Sequence, residues 1–145
     1  MIKLDKGAWW LNVYYGLFDK KAAPLSFITR NLMENITNFN DAVNLMAKSD
    51  LIAPAYFIIG GVKPDEAVIL TRNQTAVVDD WRLDPNSSKF NRWFLIETNY
   101  DHWTEPPAKD NRRDPAIDAM NTISQKKMSF DKMFDVLSLN PICNK

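Results

Sequence analysis

This chain contains one cysteine and one histidine in 145 residues. A single thiol excludes an internal disulfide, and one thiol with one imidazole is too few soft ligands for a structural zinc site. No apolar run approaches the roughly 20 residues that a membrane-spanning helix requires. Neither sign of charge dominates. Eighteen Lys and Arg balance eighteen Asp and Glu, which removes the electrostatic case for nucleic acid as a partner. Repeats, low-complexity tracts and a Gly-x-Ser-x-Gly nucleophile elbow are also missing. Met1-Ile2-Lys3-Leu4 runs into a charge and a glycine, which is not the composition of a signal peptide.

What is present is an ordinary globular mixture, 46% apolar and 25% charged, about one domain in length. It falls into three blocks. The first is helical: an aromatic-rich helix over Ala8 to Asp19, then a helix begun by Pro24 and carrying Leu25, Phe27, Ile28, Leu32 and Met33. Asn38 or Asn40 can cap a third helix, with Ala42, Val43, Leu45 and Met46 at helical spacing. The second block is four short strands, Tyr56–Ile59, Ala67–Leu70, Val77–Leu83 and Arg92–Thr98, joined by turn residues as an antiparallel meander. The third is helical again, Pro115 to Gln125 and, behind Ser129 as a cap, Phe130 to Leu137. Helices, strands and helices make an α+β chain, half of a layered sandwich.

The last expected strand ends in Glu97-Thr98-Asn99-Tyr100-Asp101-His102-Trp103, with Arg112-Arg113 nine residues further on. It delivers the amide of Asn99 out of an apolar run onto a loop that carries a guanidinium pair. An uncharged N–H donor and a fixed cation at a strand end can hold the oxyanion that develops in acyl transfer. A strand end with Tyr100 and Trp103 packed over it and two solvated arginines would look the same. From the residues alone that plainer arrangement is the commoner one.

The runs Thr98–Trp103 and Asn111–Arg113 resemble the N-acylethanolamine-hydrolysing acid amidase and acid ceramidase family, N-terminal-nucleophile cysteine hydrolases. So do Asp5–Trp10, Leu51–Gly61 and Val68–Asn73, and the similarity extends from Asp5 to Lys145 without a large gap. Asp5–Trp10 and Asp101-His102-Trp103 favour the acid amidase branch, whereas Leu51–Phe57 reads more like ceramidase. The resemblance implies an αββα sandwich, two antiparallel sheets between helices. It also implies that residues 1–145 are a single partial domain, an internal fragment of the catalytic subunit. The N-terminal nucleophile segment and the C-terminal strands of the family then lie outside it.

In the family, the thiolate of the first cysteine attacks the amide carbonyl and its free α-amine manages the proton, splitting one hydrolysis into two easier steps. Cys143 is no substitute: it lies two residues from the C-terminus, has no free α-amine, and occupies a position that is ordinarily apolar in the family. The chain by itself is expected to be inactive. What it retains is the electrostatic half of the site, with Asn99 matching the family's oxyanion asparagine and Arg112 the first of its Arg-Arg pair. Arg113 reads equally well as a surface residue. A family glutamate before the aromatic helix is replaced here, near Lys3, which suggests that the first four residues fall outside the family sequence. His102 has the pKa range of a general base, but between Asp101 and Trp103 a structural role is favoured.

The implied activity is hydrolysis of a fatty acyl amide through a cysteine acyl-enzyme, with no cofactor and no metal. The substrate class is ceramide or N-acylethanolamine. The alternative is a non-catalytic chain of the same fold that binds lipid amides or a partner subunit. Such an enzyme must meet its substrate at a membrane surface, and Trp9 and Trp10 in the aromatic helix are the candidate lipid contacts. Being adjacent, they lie about 100° apart on a helix, so one is expected at the interface and the other in the core. Three sequons, at Asn35, Asn73 and Asn86, fall in expected turns where glycosylation is possible. A glycoprotein of the lysosome or secretory pathway, working with the missing part of the same precursor, is the corresponding setting.

Overall fold

The computed structural model describes residues 9–84 and 93–143. The chain divides into two compact units, Met1–Asp84 and Pro85–Lys145.

The first unit holds three helices and a sheet. They are α1 (Trp9–Phe18), α2 (Leu25–Asn35), α3 (Phe39–Lys48), β1 (Ala55–Gly60), β2 (Ala67–Arg72) and β3 (Val77–Arg82). Pro24 precedes α2 with φ −59°, already suited to helix entry. Of the two candidate caps for α3 the structure uses Asn38, whose side-chain oxygen accepts the Asp41 N–H at 2.9 Å. Asp41 in the first turn and Lys48 in the last complement the helix dipole.

The strands form one antiparallel sheet in the order β1-β2-β3. Phe57 faces Leu70 and Ile59 faces Val68 across the first ladder. These side chains form the sheet's contribution to a core with Ile28 of α2, Val43 and Met46 of α3, and Leu51. Alternation in β1 therefore points the apolar face at the helices, the period-2 logic of a half-buried strand. The β1–β2 connection turns at Asp65 with φ 68° and is stiffened by Glu66, whose carboxylate accepts the N–H groups of Val62 and Lys63. Gly61 sits so close under Glu66 that a Cβ there would collide with the carboxylate.

One arginine ties this unit together. Arg72, at the end of β2, is 0% exposed. Its guanidinium donates to the carbonyls of Met46 and of Ser49 (2.8 Å) at the C-terminal end of α3, and to Ala76 (3.0 Å) in the next turn. Burial pulls its pKa below the ordinary arginine value, and the charge of Asp50 works against that shift. The terminal carbonyls of a helix have no intrahelical donor. Here an arginine from the sheet supplies one.

The aromatic helix differs from expectation. α1 has no buried residue, and Trp9 and Trp10 are 73% and 59% exposed, so neither is the core half of a split pair. One tie to the rest of the unit is a hydrogen bond from Gln74 Nε2 to Asn12 Oδ1 at 3.2 Å.

The second unit contains α4 (Arg113–Ile123), a short 3-10 turn at Gln125–Lys127 and α5 (Phe130–Leu137). α4 stops two residues earlier than the sequence pattern suggests because Ser124 adopts φ 66°, incompatible with a continuing helix. Ser129 caps α5 as expected, accepting the Lys132 N–H at 3.3 Å. The core is Phe94, Met120 and Val136, with Ile96, Ile117, Ile123 and Met128 packed around it.

The expected fourth strand is not found. Its first residue, Arg92, lies outside the described residues, and 94–98 form no ladder. A strand is defined by its hydrogen-bonded neighbour, and among the described residues the sheet has three members. The alternating apolar residues are satisfied differently: Phe94 and Ile96 lie against the residues of α4 and α5. The four-stranded meander is thus corrected to a three-stranded one followed by an apolar, non-strand segment.

Candidate active site

That segment positions everything the sequence singled out in the second unit. Phe94 anchors it in the helical core, and Tyr100 and Asp101 are buried immediately after it. Between the buried anchors Asn99 is left with its side chain exposed. The chain then turns, with the Thr104 N–H donating to Asp101 O at 3.0 Å, and turns again where the Asp110 N–H donates to Pro107 O at 2.9 Å. The second turn brings Asp110 and the start of α4 back onto Asn99. Asn111 holds that helix start, its Oδ1 accepting the Asp114 N–H at 3.2 Å.

Arg113 fixes the loop. Its guanidinium donates to the carbonyls of His102 (2.9 Å), Thr104 (2.6 Å) and, more weakly, Asp101 (3.4 Å). It also lies 5.2 Å from the centre of the Tyr100 ring, whose hydroxyl oxygen accepts the Arg113 N–H at 3.3 Å. Sequence reasoning left this residue as readily on the surface. It instead clamps the turn that presents Asn99.

Asn99 and Arg112 are brought together. An Arg112 terminal nitrogen donates to Asn99 Oδ1 at 2.6 Å and to Asp110 Oδ2 at 3.1 Å. Arg112 Nε pairs with Asp110 Oδ1 at 2.8 Å. Asn99 Nδ2 donates to Asp110 Oδ2 at 2.9 Å. The three side chains therefore close a ring of three hydrogen bonds and one ion pair. The hydrogen bonds from Arg112 and Asn99 hold the Asp110 carboxyl below the usual carboxylate range. A depressed folded-state value means that the charged ring is complete above the ordinary aspartate pKa of about 3.9. It is lost only as pH falls through the lowered value.

Asp110 is the residue that sequence reasoning missed. Its only signal is a carboxylate two places before Arg112, and such spacings are common. The significance comes from the return of the loop onto Asn99.

The other candidates lie apart in role. His102 stacks edge-on with Trp103 at 4.8 Å, and its Nδ1 is 3.9 Å from Glu97 Oε2, both side chains largely buried. Cys143 is half-buried in the turn after α5, its N–H donating to Leu139 O at 2.8 Å. Asn35 is exposed but is the last residue of α2 and not in a turn. Asn73 does lie in a turn, where its Oδ1 accepts the N–H groups of Thr75 and Ala76. Asn86 and Lys3 fall outside the described residues. No group of His, Cys, Asp and Glu among the described residues could hold a metal ion.

No family model matches the chain. Individual relatives do. The N-acylethanolamine-hydrolyzing acid amidase of Cavia porcellus is 43% identical over 141 residues, which is 97% of this chain and 39% of that protein. The acid ceramidase of Heterocephalus glaber is 40% identical over 137 residues, 91% of this chain and 34% of that protein. Among solved structures, the Caenorhabditis elegans N-acylethanolamine-hydrolyzing acid amidase ortholog superposes with a TM-score of 0.75 at 31% identity. The match covers 93% of this chain and 54% of that one. The chain thus spans between about a third and two fifths of the length of the curated relatives it matches.

Proposed function

This chain is homologous, along nearly its whole length, to a segment of the N-acylethanolamine-hydrolyzing acid amidases and acid ceramidases, and from that premise we propose that it is the oxyanion-holding part of a lipid-amide hydrolase. The observation that carries the proposal is the Asn99–Asp110–Arg112 ring on an exposed loop. Asn99 Nδ2 has two hydrogens, and Asp110 takes one. The second is the donor for the oxygen of a substrate carbonyl as it becomes an oxyanion. Arg112, held by its carboxylate partner, adds positive charge beside the same oxygen. Preorganised groups of this kind lower the barrier because they need no reorientation when charge develops.

In this proposal the nucleophile comes from outside residues 1–145, as a cysteine thiolate that attacks the carbonyl carbon and forms an acyl-enzyme. Residues 1–145 then form a partial domain, completed into an αββα sandwich by the rest of the catalytic chain. The substrate is a fatty acyl amide of an amino alcohol or sphingoid base. Asn35, exposed, and Asn73, in a turn, are the candidate glycosylation sites of a lysosomal or secreted glycoprotein. Hydrolysis of both an N-acylethanolamine and a ceramide by the full-length gene product is the direct test. Folded protein that releases fatty acid from neither would refute the assignment and favour a lipid-binding chain.

α1 is proposed as the membrane contact. It is ten residues without a charge, none of them buried, and it is followed by Asp19 and then Lys20 and Lys21. Exposed tryptophan, tyrosine and leucine beside basic residues suit an interfacial helix. With both tryptophans exposed, Trp9→Ser and Trp10→Ser should each weaken binding to anionic liposomes and slow hydrolysis of vesicle-borne substrate. Thermal stability and hydrolysis of a short soluble amide should hardly change. A joint loss of stability, with liposome binding unchanged in the folded fraction, would instead place α1 in the core of the complete protein.

A further inference from the structure

Asn99 is useful as a donor only if its amide cannot flip. An asparagine side chain is nearly symmetric in shape, so its oxygen and nitrogen are told apart only by the groups around them. Here the surroundings distinguish them twice. Arg112 offers N–H to Oδ1 at 2.6 Å, and Asp110 offers a lone pair to Nδ2 at 2.9 Å. A flip would put oxygen against carboxylate and N–H against guanidinium, replacing two attractive contacts by two repulsive ones.

We propose that Asp110 is the positioning residue of this site, fixing both the orientation of the Asn99 amide and the fork of Arg112. This rests on reading Asn99 as the oxyanion donor. Three features support the assignment. Both carboxylate oxygens of Asp110 lie against Arg112, Oδ2 accepting from a terminal nitrogen at 3.1 Å and Oδ1 in an ion-pair contact with Nε at 2.8 Å, which holds the guanidinium beside the carboxylate. The same Oδ2 accepts from Asn99, so one atom sets both partners. Its negative charge, which alone would oppose an oxyanion nearby, is compensated by the guanidinium it holds. An acceptor-only group is needed here: an asparagine would present one oxygen and an NH₂ that competes with the donors it must accept.

The site divides its tasks among three side chains. Asn99 donates to the substrate, Arg112 supplies charge, and Asp110 touches neither substrate nor oxyanion but sets the other two. Removing Asp110 leaves the Asn99 amide free to rotate and Arg112 free to swing to solvent. Misplacement of a positioned group by about 1 Å can cost about 10²-fold in rate.

The experiment uses the full-length protein with Asp110→Asn, and with Asp110→Ala should the first variant not fold. Kinetics are measured on a short soluble N-acyl amide. The expected result is a fall in kcat of about 10²-fold with KM little changed. In an Asn99→Ala background, the same substitution should lower kcat by much less, because a positioning residue has little left to position. Wild-type kcat in Asp110→Asn, or the full loss repeated in the Asn99→Ala background, overturns the proposal. A separate readout is the pair of Asn99 side-chain amide signals in ¹⁵N-edited NMR spectra of the wild type and the variant. Their movement toward the positions of a free asparagine amide in Asp110→Asn supports positioning even if the wild type hydrolyses no lipid amide, an outcome that sinks only the functional assignment. Unchanged signals overturn the positioning role whatever the activity.

Discussion

Replacing Asn99, the proposed oxyanion donor, with alanine in the full-length protein should lower kcat by about 10²–10³-fold and change KM little. The split follows from when the hydrogen bond forms. A substrate carbonyl carries only partial charge, so a donor aimed at it contributes little to binding. The tetrahedral oxyanion carries a full charge, and a charge-assisted bond to it is about twice as strong as a neutral one. Only an interaction that strengthens on the way to the transition state raises kcat. The ring suits this timing, because Asn99 Oδ1 is fixed by Arg112 at 2.6 Å and one Nδ2 hydrogen by Asp110 at 2.9 Å, before substrate arrives. Steady-state kinetics at saturating substrate check the prediction. A variant with wild-type turnover and a raised KM would mean that Asn99 grips the ground state and is not the oxyanion donor.

Arg72→Met should destabilise the first unit by about 3–5 kcal/mol, although methionine matches much of the aliphatic stem. The loss comes from the carbonyls and not from the charge. Met46, Ser49 and Ala76 each lose a donor, and a buried acceptor left unmade costs about 1–3 kcal/mol. Arg72→Lys should recover only part of the loss, since an ammonium cannot span three divergent carbonyls with the reach of a planar fork. Denaturant midpoints of the two variants in the full-length protein provide the measurement. The order wild type, Lys, Met is expected; a Met variant as stable as the wild type would show that water replaces the guanidinium at no cost.

Local signals account for most of the secondary structure. Pro24, Asn38 and Ser129 mark helix starts because a fixed φ or a side-chain oxygen meets a requirement that lies within three residues. The first three strands were legible because the apolar face of one pairs with that of the next, and the hairpin turns show in the sequence. The fourth strand failed for a physical reason. Alternation reports that one face is buried, not what buries it, and α4 and α5 cover Phe94 and Ile96 as well as a neighbouring strand would. The end of α4 failed because Ser124 is driven to positive φ, which its type does not announce.

The same division runs through the site. Asn99 and Arg112 were visible as residue types suited to an oxyanion and, through family resemblance, as a matched pair. Their meeting depends on a return of the chain across thirteen positions, and that return also recruits Asp110 and turns Arg113 from a surface candidate into a clamp. Arg72 is a further case: an arginine at a strand end is unremarkable until the end of α3 is placed against it. The exposure of both Trp9 and Trp10 was likewise beyond the sequence, since helical spacing sets the angle between two side chains and not what lies opposite them. By itself, then, the sequence determined the elements governed by near-neighbour chemistry and the kinship to lipid-amide hydrolases. Only the tertiary structure decided which polar groups face one another. A hydrogen bond between distant residues depends on the summed packing of every element between them, and no local residue pattern encodes that sum.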